Sequence, residues 1–123
     1  MYIKDRKGCK EITSRDNTAL RELLNPLREP GLAIGFSLAE ARVKPGQETL
    51  PHKLKNAEVY YLLEGRAEMR INEERRPIGP GQAVYIPPRS IQSIKNIGRT
   101  ELVFLCLVDP AWKAEDEELV EAK

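Results

Sequence analysis

The sequence predicts an all-β domain, a sandwich or barrel of short strands, preceded by one short helix. Three observations carry that prediction. From Leu32 onward, short apolar runs are punctuated by Pro and Gly rather than continued at helical spacing. Within RAEMRI (66 to 71), Ala67, Met69 and Ile71 alternate with Arg66, Glu68 and Arg70, which gives one buried and one wet face. The length of 123 residues suits one domain with a core of its own.

The elements follow in order. In TALRELL (18 to 24), Leu20, Leu23 and Leu24 stand at helical spacing. Asp16 and Asn17 precede them as caps, and Asn25-Pro26 stops the segment. Residues 1–31 are therefore expected to form an N-terminal segment with a short helix, packed on a barrel spanning 32–108. Strands are expected at LAIGFSLAEARV (32 to 43), EVYYLL (58 to 63), RAEMRI, QAVYI (82 to 86), SIQSIKNI (90 to 97) and TELVFLCLV (100 to 108). The charge run Glu73-Glu74-Arg75-Arg76 reads as a solvated hairpin tip. Residues 109–123 read as an acidic, solubilising tail with one exposed helical turn.

Composition excludes several function classes. Apolar residues make up 41% and charged residues 32%, the balance of a folded soluble chain rather than a disordered one. Twenty basic residues against nineteen acidic ones leave a formal charge of +1. Scattered over the chain, they argue against nucleic-acid binding. No window reaches transmembrane length and the first residues carry no apolar leader, so no membrane association and a cytoplasmic location are expected. Cys9 and Cys106 form no CxxC pair and are expected as two free thiols in a reducing compartment. EVYYLL and LVFLCLV are apolar on both faces. Either a homodimer covers one sheet, or these strands are doubly covered inside one sandwich; the homodimer is the favoured expectation.

Two spaced motifs carry the chemistry. Residues 46 to 65 read G-x5-H-x-L-x3-E-x6-G, through Gly46, His52, Leu54, Glu58 and Gly65. Residues 81 to 96 read G-x5-P-x-R-x2-Q-x3-N, through Gly81, Pro87, Arg89, Gln92 and Asn96. This pattern resembles the cupins, whose two motifs share the spacing but carry a second histidine at position 54, a glycine at 89 and a histidine at 92. The resemblance spans roughly residues 32 to 108. It implies a double-stranded β-helix, or jelly-roll barrel, of the small single-domain type, often dimeric, with a ligand or metal site inside. Carried over residue by residue, the metal set is His52, Glu58 and Gln92, with Leu54 at a lost ligand position. One imidazole, one carboxylate and one amide would hold Zn, Mn, Fe or Ni only weakly.

The residues also speak for themselves. Positions 52 and 54 of one strand face the same way. Glu58 opens an apolar strand and, facing inward, needs a partner. His52 could be that partner, which makes the two candidate catalytic residues of a proton-transfer dyad. Tyr60 shares the inward face, so His52, Glu58, Tyr60 and Gln92 are the candidate ligand-binding residues. Three functions compete: a barrel binding a small polar metabolite such as a sugar, a metal-dependent dioxygenase or sugar isomerase as the resemblance implies, and a metal-free acid–base isomerase or epimerase. Fold alone does not choose among them.

Overall fold

In the computed structural model, which describes residues 1–120, two antiparallel sheets face each other across one apolar core. The strands are β1 (Glu11–Thr13), β2 (Ala19–Leu24), β3 (Ser37–Val43), β4 (His52–Leu54), β5 (Ala57–Glu64), β6 (Ala67–Ile71), β7 (Glu74–Ile78), β8 (Ala83–Ile86), β9 (Gln92–Asn96), β10 (Leu102–Asp109) and β11 (Glu117–Leu119). One sheet has the order β1-β2-β3-β10-β5-β8 and the other β11-β4-β9-β6-β7. From β3 to β6 each successive strand crosses to the opposite sheet, the winding of a jelly roll. The all-β expectation holds.

The N-terminal helix does not form. Residues 19–24 are strand β2, paired with β1 (Arg21 opposite Glu11) and with β3 (Ala19 opposite Arg42). Ladder bonds to two neighbours outweigh a weak local helical preference. A register irregularity between Glu22 and Leu24 disturbs the two-residue alternation, so the leucine spacing imitates a helix. Among the described residues the helical segments are two single 3-10 turns, Arg6–Gly8 and Ala114–Asp116. No described helix is long and apolar enough to cross a membrane.

Both flanking segments join the sheets. Residues 1–31 contribute β1 and β2, and the acidic stretch contributes β11, which pairs with β4. The tail's final residues, 121–123, lie outside the described residues. The charge run at 73–76 is mostly strand: the turn is Asn72-Glu73, with Asn72 at φ 53°, and β7 follows directly.

The core consists of side chains that alternate inward. On β5 these are Glu58, Tyr60 and Leu62, and on β10 Phe104, Cys106 and Val108. The Tyr60 and Phe104 rings pack with centroids 4.6 Å apart at 43°. Gly65 closes the β5–β6 connection at φ +89°, where a Cβ would lie 3.0 Å from the Glu101 carbonyl oxygen and the Leu102 Cα. The outward positions of the same sheet are apolar, with Tyr61, Leu63 and Tyr85 at 40%, 41% and 61% exposure. Next to them, over β3, the N-terminal segment lies across the sheet: Arg6 Nε donates to Glu40 Oε1 at 2.6 Å. Cys9 and Cys106 are buried, free thiols.

Candidate functional site

His52 anchors the site from β4, and its side chain is 3% exposed. Its Nδ1 lies 2.9 Å from the Leu50 carbonyl oxygen. A carbonyl only accepts, so Nδ1 carries the hydrogen, and in the neutral ring Nε2 presents its lone pair. That lone pair faces two carboxylates. Asp16 Oδ2 is 3.5 Å away and Glu117 Oε1 is 3.9 Å away, both beyond hydrogen-bonding distance.

Asp16 is held by the turn between β1 and β2. Ser14 N donates to the Thr18 carbonyl at 2.9 Å, and Asn17, at φ 71°, donates its N–H back to Ser14 at 3.0 Å. One carboxylate oxygen, Oδ1, accepts from Thr18 N at 3.2 Å, from Thr18 Oγ1 at 2.8 Å and from the Ser14 hydroxyl. The other, Oδ2, is left facing His52. The Leu50 N–H donates to the Asp16 carbonyl at 2.8 Å, so one short segment fixes both the aspartate backbone and the imidazole.

Glu117 comes from β11, in register with Leu54 of β4. Lys55 N donates to the Asp116 carbonyl at 3.0 Å and Val120 N to the Pro51 carbonyl at 3.0 Å, which seats the strand on both sides of the glutamate. The Glu117 side chain is 8% exposed, and its Oε2 is buried without a partner. Burial, then the neighbouring Asp16, push its carboxyl above the ordinary range, against His52 and Arg15.

Glu58 lines the same pocket from the opposite sheet. Its Oε1 is buried with no hydrogen-bond partner. Burial raises its carboxyl to about 8, helped by the charges of Asp16 and Glu117 and opposed by the Gln92 amide. The group is therefore protonated at neutral pH. Tyr60 donates its hydroxyl to Gln92 Oε1 at 2.9 Å, and burial raises the phenol well above its usual value. Burial raises the Cys106 thiol likewise.

These groups surround a cavity of about 50 Å³, walled on the apolar side by Leu20, Phe104, Val108 and Trp112. Since a water needs about 10–15 Å³ of such space, the cavity admits a few waters or one end of a small molecule.

Of the residues singled out in the sequence, His52, Glu58 and Tyr60 meet in this cavity. Gln92, opposite His52 in the β4–β9 ladder, is 1% exposed and engages its amide oxygen with Tyr60. His52 points its free nitrogen at Asp16 and Glu117 rather than at Glu58. Asp16 and Glu117 escape the sequence reading. Asp16 carries the signal of a helix cap, and Glu117 sits in a run of acidic residues that looks solvated. Nothing local distinguishes Glu117 from Glu115 or Glu118.

Comparison with known proteins places these observations in a family. A family model described as a cupin domain matches residues 39–108. An uncharacterized protein of Methanocaldococcus jannaschii is 40% identical over 113 residues, which cover 91% of this chain and 89% of that protein. Among solved structures, the polyketide cyclase RemF from Streptomyces resistomycificus superposes with a TM-score of 0.77 at 23% identity, covering 100% of this chain and 87% of that one. A predicted oxalate decarboxylase from Thermotoga maritima gives 0.75 at 22% identity, covering 89% and 99%. At such identities the structural likeness speaks for the barrel and not for a shared substrate.

Proposed function

This chain belongs to the cupin-domain family, and from that premise we propose that its barrel binds a small, neutral, polar metabolite such as a sugar or polyol. The observation that carries this reading is the buried Glu58 oxygen with no partner. A buried polar group left unsatisfied is costly, and a ligand hydroxyl or carbonyl would satisfy it. Raised to about 8, Glu58 is a hydrogen-bond donor at neutral pH. Tyr60, already donating to Gln92, keeps a lone pair for a ligand hydroxyl. In metal-free protein, Asp16 and Glu117 on the facing wall disfavour a carboxylate or phosphate ligand, which leaves neutral hydroxyl compounds as the matching class for that form.

A second reading is acid–base catalysis, and the raised Glu58 favours it, since a general acid works best with a pKa near the operating pH. In that reading Glu58 acts without His52, which is turned to other carboxylates. The apolar outer face around Tyr61, Leu63 and Tyr85 supports a homodimer, and two free buried thiols fit a cytoplasmic setting.

The test is a thermal-shift screen of metal-stripped protein against neutral sugars and polyols, with hydroxy acids as the contrasting class. A neutral compound should raise the melting temperature, and Glu58→Ala should remove that shift. If no neutral polyol or sugar shifts the parent protein, the metabolite reading fails.

A further inference from the structure

We infer that Asp16, His52 and Glu117 form a divalent-cation site, displaced from the motif positions toward the two flanking segments of the chain. The three donor atoms lie within 4.8 Å of one another. With the imidazole neutral, all three face one another with lone pairs, because the His52 Nδ1 hydrogen is committed to the Leu50 carbonyl. Among the described residues, neither carboxylate has a Lys or Arg within ion-pair distance. Three converging electron-rich atoms repel one another unless something positive stands between them.

The spacing suits an ion. With bonds of about 2.0–2.2 Å from metal to nitrogen or oxygen, two donors on one centre lie roughly 3.0–3.5 Å apart. The observed 3.5 and 3.9 Å from His52 Nε2 are within a few tenths of an ångström of that range, and the two carboxylates, within 4.8 Å of each other, would have to draw together on the ion. The supports suit one as well. Ligating imidazoles commonly give their other N–H to a carbonyl, and ligating carboxylates are themselves hydrogen-bonded. His52 does the first and Asp16, through three donors on Oδ1, the second.

Two further features point inward at this cluster. Glu117 Oε2 and Glu58 Oε1 are buried and unpartnered on the same cavity. Glu117 also stands directly across the strand from Leu54, the position where a motif ligand is missing. Cross-strand neighbours share a face, so the carboxylate supplies from β11 a donor that β4 does not. One imidazole with two carboxylates favours Mn²⁺ or Zn²⁺ over soft ions. Glu58 and Gln92 are not ligands in this arrangement. The cation site shares the cavity, the Glu58 oxygen and the Asp16 and Glu117 carboxylates with the metabolite reading, so each is tested on its own form of the protein, with and without added metal.

The experiment measures Mn²⁺ and Zn²⁺ uptake by the metal-stripped full chain, by electron paramagnetic resonance for Mn²⁺ and elemental analysis for Zn²⁺. The parent should take up close to one ion per chain. Glu117→Gln and Asp16→Asn should weaken binding at least ~10-fold, and Thr18→Val, which keeps every donor atom, should weaken it by about the same factor. Glu58→Gln and Gln92→Leu should leave it unchanged. Circular dichroism and thermal melts confirm that each variant folds, and Thr18→Val provides the answer if a ligand variant does not. The inference is overturned if the parent takes up neither ion, as an imidazolium between two carboxylates would require. It is equally overturned if Glu58→Gln abolishes uptake while Glu117→Gln retains it. A polyol-induced thermal shift is read on metal-free protein and ion uptake without polyol, so either reading can fail without the other.

Discussion

Tyr60 and Gln92 join the two sheets through the middle of the barrel: the phenol on β5 donates to the amide oxygen on β9 at 2.9 Å, and both side chains are buried. At the position where the family pattern has a ligating histidine, this chain therefore has an acceptor for its own tyrosine. Tyr60→Phe strands a buried acceptor and should cost about 1–3 kcal/mol in urea unfolding. Adding Gln92→Leu should recover part of that loss, because both polar partners are then gone. A double variant as unstable as the sum of the singles would mean the two groups act independently.

Glu58 makes stability depend on pH in an unusual direction. Unfolded, its carboxyl titrates near 4.5; folded, near 8. Between those values the native state holds one more proton than the unfolded chain. The contribution is complete below pH 4.5 and disappears as pH rises through about 8. For metal-stripped protein the slope should approach about 1.4 kcal/mol lost per pH unit at its steepest. Glu58→Gln should reduce it, leaving the part that the raised Glu117 carboxyl contributes. Denaturant titrations across the window would show this, and a flat profile in the parent would mean that Glu58 ionises normally.

Leu54 is 2% exposed and stands across from Glu117. Leu54→His places an imidazole beside the proposed cation site and should raise Mn²⁺ affinity by ~10-fold or more. Competition against a chelator of known strength measures it. Unchanged affinity in a folded variant would put residue 54 outside the site.

The outer face of the larger sheet exposes Tyr61, Leu63 and Tyr85 together. If two copies meet there, Tyr61→Asp with Tyr85→Asp should shift the protein from dimer to monomer in light scattering. The thermal midpoint should then become independent of protein concentration. A parent that is already monomeric at high concentration would refute the proposal.

The barrel was legible because its strands are local signals. The alternation of Ala67, Met69 and Ile71 and the Gly and Pro boundaries around QAVYI are written within a few residues, and both became strands close to the expected limits. Residues 19–24 were not legible. Their leucines follow a spacing set by a register slip against β3, a partner more than a dozen residues away. The site divides in the same manner. His52 and the pair Glu58 and Tyr60 lie on consecutive strands of facing sheets within one stretch of sequence, and a period of two turns Glu58 and Tyr60 to the same inward face. Asp16 and Glu117 meet His52 only because β1–β2 extends one edge of the larger sheet and β11 one edge of the smaller, and no short pattern records that meeting.

The family pattern covers residues 39–108, and two of the three clustered donors lie outside it. A barrel trimmed to its recognisable domain would keep His52, Glu58, Tyr60 and Phe104 but lose Asp16 and Glu117, together with Leu20 and Trp112 from the apolar wall. In such an architecture the jelly roll acts as a chassis, while short appended strands carry the exchangeable part of the chemistry. Comparing cupins by their motifs alone then compares the chassis, and differences in what they bind can sit in segments that a domain boundary discards.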